Sequence, residues 1–373
     1  MAKIFFLDEI PKNIKILTEK NCKIFPLNFK VEKYLLSKNI IPTDTTNWVN
    51  WDDFMFINTI ANDISMNWGL LKHLEKKLEF KGINLSLLME KELFLSLLPL
   101  IHKIILIDKI IENTDPEIAV INENGDTYFD KILKNILKTN QIKTEYFKTE
   151  KTNKDNFHGD KYHFGVDFLG KTYDIALKRK YFFILKNFVE KYWDIKFKIN
   201  RLHTQEKHNN KKTILLLDFQ LINYYSLLKG LSDENYNLIF LNSRRPIIWN
   251  NESYEISKKI NFKKMHLDKK NDYNESKKKI FDIKKYLDEI YEETIFCIKK
   301  YNFSDIFKLL ILDLAEKRIS EIIMNISSFE EKLKTQKFDM ILTLDDSQLF
   351  ERSIIFNCKK KDIPVIMIQN GDL

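Results

Sequence analysis

The sequence predicts a helix-rich α/β fold in which parallel sheets are flanked by long helices. Three observations carry this. Short apolar runs recur with no polar face, the pattern of strands buried on both sides. Each such run ends on polar residues. The 373 residues hold only 8 Gly and 7 Pro, which favours long regular elements over a loop-rich all-β fold. The length suits two domains, and 44% hydrophobic residues supply a large core.

The N-terminal part, 1–150, reads as a first α/β region. Residues 3–7 form an opening strand, 21–25 a second, and 31–37 a short helix. A helix is expected over 52–80, with Phe56, Ile60, Ile64 and Leu71 as apolar positions and Trp48, Trp51 and Trp68 gathered around it. Asp52 or the residues before it would cap that helix. The tryptophans read as core or interface anchors. Gly82 marks a break. A long helix follows over 85–113, interrupted or kinked at Pro99. A strand after Pro116 ends at Glu123, a helix spans 126–138, and a short strand covers 144–147.

A middle part, 151–212, reads as a polar linker plus one long aromatic-rich helix. The linker covers 148–163 and has no period. His158 and His163 flank Asp160 there, but no further ligand with helical or hairpin spacing accompanies them, so no metal is assigned. The helix is expected over 168–197, its aromatic stripe packed against the core. A polar connector covers 201–212.

The last part, 213–373, reads as a second α/β domain. Residues 213–217 are a strand ending at Asp218. No G-x-G-x-x-G and no G-x-x-x-x-G-K follows, so the nucleotide fingerprint is absent where it is most expected. Residues 238–241 are a strand ending in Asn242, Ser243, Arg244, Arg245 and Pro246, and 262–267 a third. Residues 274–334 are strongly helical, broken near Asn302 and Ser304. Residues 338–344 form a strand ending at Asp345 and Asp346, 347–361 a helix, and 363–368 a strand ending in Gln369, Asn370 and Gly371. In open parallel sheets ligands bind outside the carboxyl ends of strands, so these endings form a site list. Arg244 and Arg245 suit a phosphate or carboxylate. Asp345, Asp346 or Glu351 suits a general base on a hydroxyl. Gly371 lets backbone approach a ligand. The structural alternative is that Asp346 and Ser347 cap the helix and that Glu351 and Arg352 pair with neighbours.

The formal charge of +8 is not a nucleic-acid signature, because Lys is interleaved with acids and Arg is scarce. Mild attraction to anionic substrates or to a membrane surface accounts for it equally well. Cys22, Cys297 and Cys358 have no metal or disulfide spacing, so a reducing cytoplasm is expected. The opening apolar run is too short for a signal peptide. The window 93–111 carries His102, Lys103, Asp108 and Lys109, which argues against a spanning helix.

An acidic residue after a strand, Glu351-Arg352 early in the next helix, and a strand ending Gln369-Asn370-Gly371 together resemble the first half of GT-B-type glycosyltransferases of surface and capsule polysaccharides. The CDP-glycerol glycerophosphotransferases are related in pattern. The chain departs at Asn370, where that family usually has His. The resemblance covers about 35 residues (338–371) specifically and the rest only in topology. It implies Rossmann-like sheets and metal-independent transfer from a nucleotide sugar, which is substrate rather than cofactor. It also implies a sugar or glycolipid acceptor. Apart from the resemblance, the cysteines and the charge are compatible with a cytoplasmic protein open to peripheral contact at the inner membrane face. Within the resemblance Asp345, Asp346 and Glu351 are the catalytic candidates. Asp218, Arg244, Arg245, Arg352, Gln369, Asn370 and Gly371 are the binding candidates. On this pattern the chain is the acceptor-side portion, the donor-binding domain is absent, and the isolated chain is expected to be inactive. The alternative is a non-catalytic α/β binding or scaffold module of the same pathway.

Overall fold

A computed structural model describes residues 3–18, 22–123, 125, 127–149, 161–168, 171–201, 211–234, 236–244, 246–268, 272–289 and 294–368. It is an α/β protein rich in helix, with two parallel sheets.

Strand β1 is Lys3–Leu7 and β2 Cys22–Pro26. Helix α1, Phe29–Ser37, starts at Asn28, whose side chain accepts from the Val31 amide at 3.0 Å. Helix α2, Trp51–Asn67, opens on a capping box between Asn50 and Asp53. The expected helix over 52–80 is thus shorter. Fully buried Trp68 begins a 3-10 turn, Trp68–His73, followed by the short helix α3, Leu74–Leu78, and a hairpin of β3, Glu79–Phe80, with β4, Ile83–Asn84. Gly82 sits in that hairpin at φ 73°, a conformation that costs glycine little. Helix α4, Leu85–Thr114, continues through Pro99 rather than stopping there. Strand β5 is Ile118–Asn122, α5 Tyr128–Thr139, and β6 Lys143–Phe147.

The next stretch corrects the sequence reading. Lys161–Phe168 (β7) and Lys171–Lys178 (β8) pair antiparallel, and helix α6 begins only at Arg179, ending at Arg201. Tyr173, Ile175 and Leu177 alternate with Thr172, Asp174 and Ala176, as do Tyr162, Phe164 and Val166 with their neighbours. That is a period of two, which aromatic content had disguised as a helix. His163 falls in β7 opposite Ala176; His158 and Asp160 lie outside the described residues.

Strand β9 is Thr213–Leu217, α7 Tyr225–Asp233, β10 Asn237–Leu241, α8 Asn251–Ser257, β11 Phe262–Lys264 and α9 Tyr273–Glu289. A small hairpin of β12, Cys297–Ile298, and β13, Tyr301–Asn302, makes the expected break before α10, Ser304–Thr335. Strand β14, Met340–Thr343, helix α11, Leu349–Lys359, and β15, Val365–Met367, complete the described elements.

The chain folds as two units that are discontinuous in sequence. The first comprises Met1–Leu74, Glu92–His158 and Ile283–Ala315, so part of the expected third segment belongs to it. Its sheet has the order β2-β1-β5-β6, all parallel. Phe5, Leu7, Ile24 and Val120 cover one face with Val31 and Leu35 of α1. Within this unit Asp108 of α4 is buried and accepts from Tyr301 Oη at 2.5 Å and Lys299 Nζ at 2.6 Å. Burial first, and then the bond to Asp108, pushes the Tyr301 phenol up. Asp108→Asn turns an amide donor toward two donors. It is expected to cost about 1–3 kcal/mol, read by urea denaturation; unchanged stability would refute this triad.

The second unit comprises Glu75–Lys91, Gly159–Asp282 and Glu316–Leu373. Its sheet has the order β11-β10-β9-β14-β15, again all parallel. Ile214, Leu216, Leu238, Phe240 and Leu342 pack on one face with Trp193 of α6 and Leu228 of α7. Leu215, Leu217, Ile239, Leu241 and Ile341 pack on the other with Phe329 of α10 and Ile354 and Cys358 of α11. Alternate residues feed opposite cores, which is why these strands read as unbroken apolar runs. Counted along the chain, the strand order is third, second, first, fourth, fifth: the Rossmann-like order, with its reversal between β9 and β14.

Candidate functional site

The carboxyl ends of β9, β10 and β14 lie side by side at that reversal. Asp218 follows β9 in the left-handed region, φ 54°, which Asp tolerates better than most residues. Its Oδ1 accepts from the amides of Ser243 at 2.6 Å and Arg244 at 3.1 Å. Its Oδ2 accepts from Ser243 Oγ at 2.9 Å and Arg244 Nε at 3.2 Å. Asp218 therefore fastens the end of β9 to the turn after β10.

Arg244 carries the connection further. Its Nη1 lies 3.6 Å from Asp345 Oδ2, beyond β14, and its Nη2 lies 3.0 Å from Glu351 Oε1, in the first turn of α11. One guanidinium thus faces three carboxyl groups. Asp345 Oδ1 accepts from the Ser347 amide at 2.8 Å and from Ser347 Oγ. Burial opposes ionisation of Asp345, but those bonds and the charges of Lys91 and Arg244 outweigh it and hold its carboxyl below the usual range. Lys91 Nζ in turn donates to Ser347 Oγ.

Glu351 is the unusual member. It is 1% exposed, and neither carboxyl oxygen has a hydrogen bond of good geometry when treated as an acceptor, although Arg244 is within ion-pair distance. Burial first, then the charge of Asp218 and a carboxyl–carboxylate bond to it, push Glu351 well above the ordinary range; Arg244 opposes this. A proton on Glu351 has Asp218 as its acceptor. A second acid beside a carboxylate in a buried site is expected to hold its proton more tightly.

The structure joins Asp218, Arg244, Asp345 and Glu351. It does not bring in Asp346, which is exposed and makes none of these contacts, or Arg352, whose Nη2 donates to Glu90 Oε2 at 3.0 Å. The helix cap is Gln348, without a side-chain cap bond, rather than Asp346 or Ser347. Arg245, Gln369, Asn370 and Gly371 lie outside the described residues. Sequence reasoning missed Lys91 and Lys186. Lys186 Nζ donates to the Asn242 carbonyl at 3.3 Å and pairs with Glu190 at 2.8 Å. Neither lysine stands at a strand end, so the rule that found the others could not find them.

Chemically the cluster is crowded with carboxyl groups: three of them engage the donors of one guanidinium. Arg244 also occupies the point among the acids where a cation would sit, and no group of three or more His, Cys, Asp or Glu among the described residues is disposed to hold a metal ion. Such an edge suits hydroxyl groups, which donate to carboxylates, better than phosphate. No family model matches the chain, and no curated protein or solved structure matches it either.

Proposed function

We propose that the chain is the acceptor-side portion of a GT-B-type glycosyltransferase of surface polysaccharide or glycoconjugate biosynthesis, holding a sugar hydroxyl at the carboxyl edge of β9, β10 and β14. One observation carries the reading: Asp218, Arg244, Asp345 and Glu351 converge where the strand order reverses, the place at which parallel sheets bind ligands. Asp345, with a quarter of its side chain exposed, is the group that meets the acceptor hydroxyl. As the hydroxyl attacks the anomeric carbon of a nucleotide sugar, its proton passes to that carboxylate and the nucleotide leaves. The depressed proton affinity of Asp345 keeps it ionised and makes it a weak base. The acceptor is a sugar or glycolipid.

Ligand-observed NMR with a panel of neutral saccharides and nucleotide sugars tests this. Saccharide binding is expected, and Asp345→Asn is expected to weaken it by about tenfold or more, the worth of one charge-assisted hydrogen bond. Binding that survives unchanged in a folded Asp345→Asn variant would remove the site from consideration. One observation favours a second reading, a non-catalytic binding or scaffold module: all of Arg244's partners are internal and Glu351 is buried, so the cluster also serves as a clasp. Transfer of labelled sugar to any acceptor would exclude that reading.

A further inference from the structure

We propose that the outward face of α6 docks the chain onto an anionic lipid surface. Helix α6 has two apolar faces. Val189, Trp193 and Phe197 pack on the core of the second unit. Tyr181, Ile184, Leu185, Phe188, Tyr192 and Ile195 are exposed instead, Phe188 by 73%. Their spacings of three and four gather them within an arc of roughly 100°. A run of six large apolar side chains on an open surface marks a contact site.

The chemistry around the stripe selects the occupant. Lys180 and Lys191 are exposed beside it. The acids of this helix are already neutralised: Glu190 by Lys186 at 2.8 Å and Asp194 by Lys264. The whole chain carries +8. A second copy would bring like-charged lysines together, whereas an anionic lipid headgroup supplies the opposite charge. Tyr181 and Tyr192 each combine an apolar ring with a polar tip, which suits the boundary between headgroups and acyl chains. A helix of this kind lies in the plane of the interface. Among the described residues no helix is long and apolar enough to cross a membrane. The inference does not rest on the transferase reading.

Co-sedimentation of the full chain with vesicles tests it. Binding is expected to phosphatidylcholine vesicles containing phosphatidylglycerol, to be weaker with phosphatidylcholine alone, and to fall as salt rises. Phe188→Ser with Ile184→Ser is expected to weaken binding by about tenfold or more. Circular dichroism and melting temperature should not move, because both side chains are exposed. Three results would overturn the proposal: no binding to either vesicle, equal binding by the double variant, or a stable dimer in light scattering that the double variant converts to monomer.

Discussion

Replacing Arg244 with Met is expected to cost about 3–5 kcal/mol, the range for removing one partner of a buried ion pair. The lower end applies, because a third of the Arg244 side chain is exposed. Methionine keeps the length and apolar stem but removes the one cation that, among the described residues, pairs with both Asp218 and Glu351. Asp218 retains its bonds from Ser243 and from the backbone amide at 244. Glu351 loses the charge that opposes its raised proton affinity, so the penalty for keeping its proton in the folded chain grows and most of the loss arises there. Adding Glu351→Gln to Arg244→Met is therefore expected to recover a substantial part of the stability, with a coupling on the order of 1–3 kcal/mol in a double-mutant cycle. Arg244→Lys should not rescue, since a single ammonium lacks the fork that reaches three carboxyl groups. Urea denaturation followed by tryptophan fluorescence measures all five proteins: the unchanged chain, the three single variants and the double variant. A loss below about 1 kcal/mol for Arg244→Met would show that the residue behaves as an ordinary surface charge.

Why this cluster was half legible beforehand follows from where its members sit. Asp218, Arg244 and Asp345 each end an apolar run, and those runs stand out because β9, β10 and β14 are covered on both faces. Periodicity and the strand-end rule are enough to find them. What joins them is invisible at that level. Glu351 was singled out as a catalytic candidate, but its approach to Arg244 depends on how α11 packs on the sheet. Arg352 looked equally good in sequence and faces Glu90, which is 262 positions away. The strands of the sheet were clear for the same reason that the β7–β8 hairpin was not. Central strands show a contrast between buried and polar residues, whereas the 161–178 stretch shows only a two-residue alternation among aromatics, easily absorbed into the helical stripe that follows. The division into units was out of reach, because residues 283–315 return to the first unit through tertiary contacts that no composition shift marks.

Glu351→Gln in the otherwise unchanged chain is expected to raise stability at neutral pH and to lose that advantage in acid. An unfolded glutamate titrates near 4.5, and the folded carboxyl titrates well above it. Below 4.5 both states hold the proton, and Glu351 imposes no ionisation penalty. As pH rises past 4.5 the unfolded chain releases its proton while the folded chain keeps it, so the unfolded state gains. The penalty grows until pH passes the folded value and then levels off; each tenfold difference in proton affinity contributes about 1.4 kcal/mol. Glutamine cannot ionise, yet its amide still donates toward Asp218 as the protonated acid does. Asp345 works in the opposite sense: its stabilisation is present above 3.8 and is lost as pH falls through its lowered folded value. Because both proteins contain Asp345, its contribution cancels in their difference. Melting curves of the two proteins from pH 4 upward should therefore diverge, with the variant the more stable. A variant that is less stable by the same amount at every pH would mean that Glu351 is ionised in the folded chain and that Arg244 alone fixes its state.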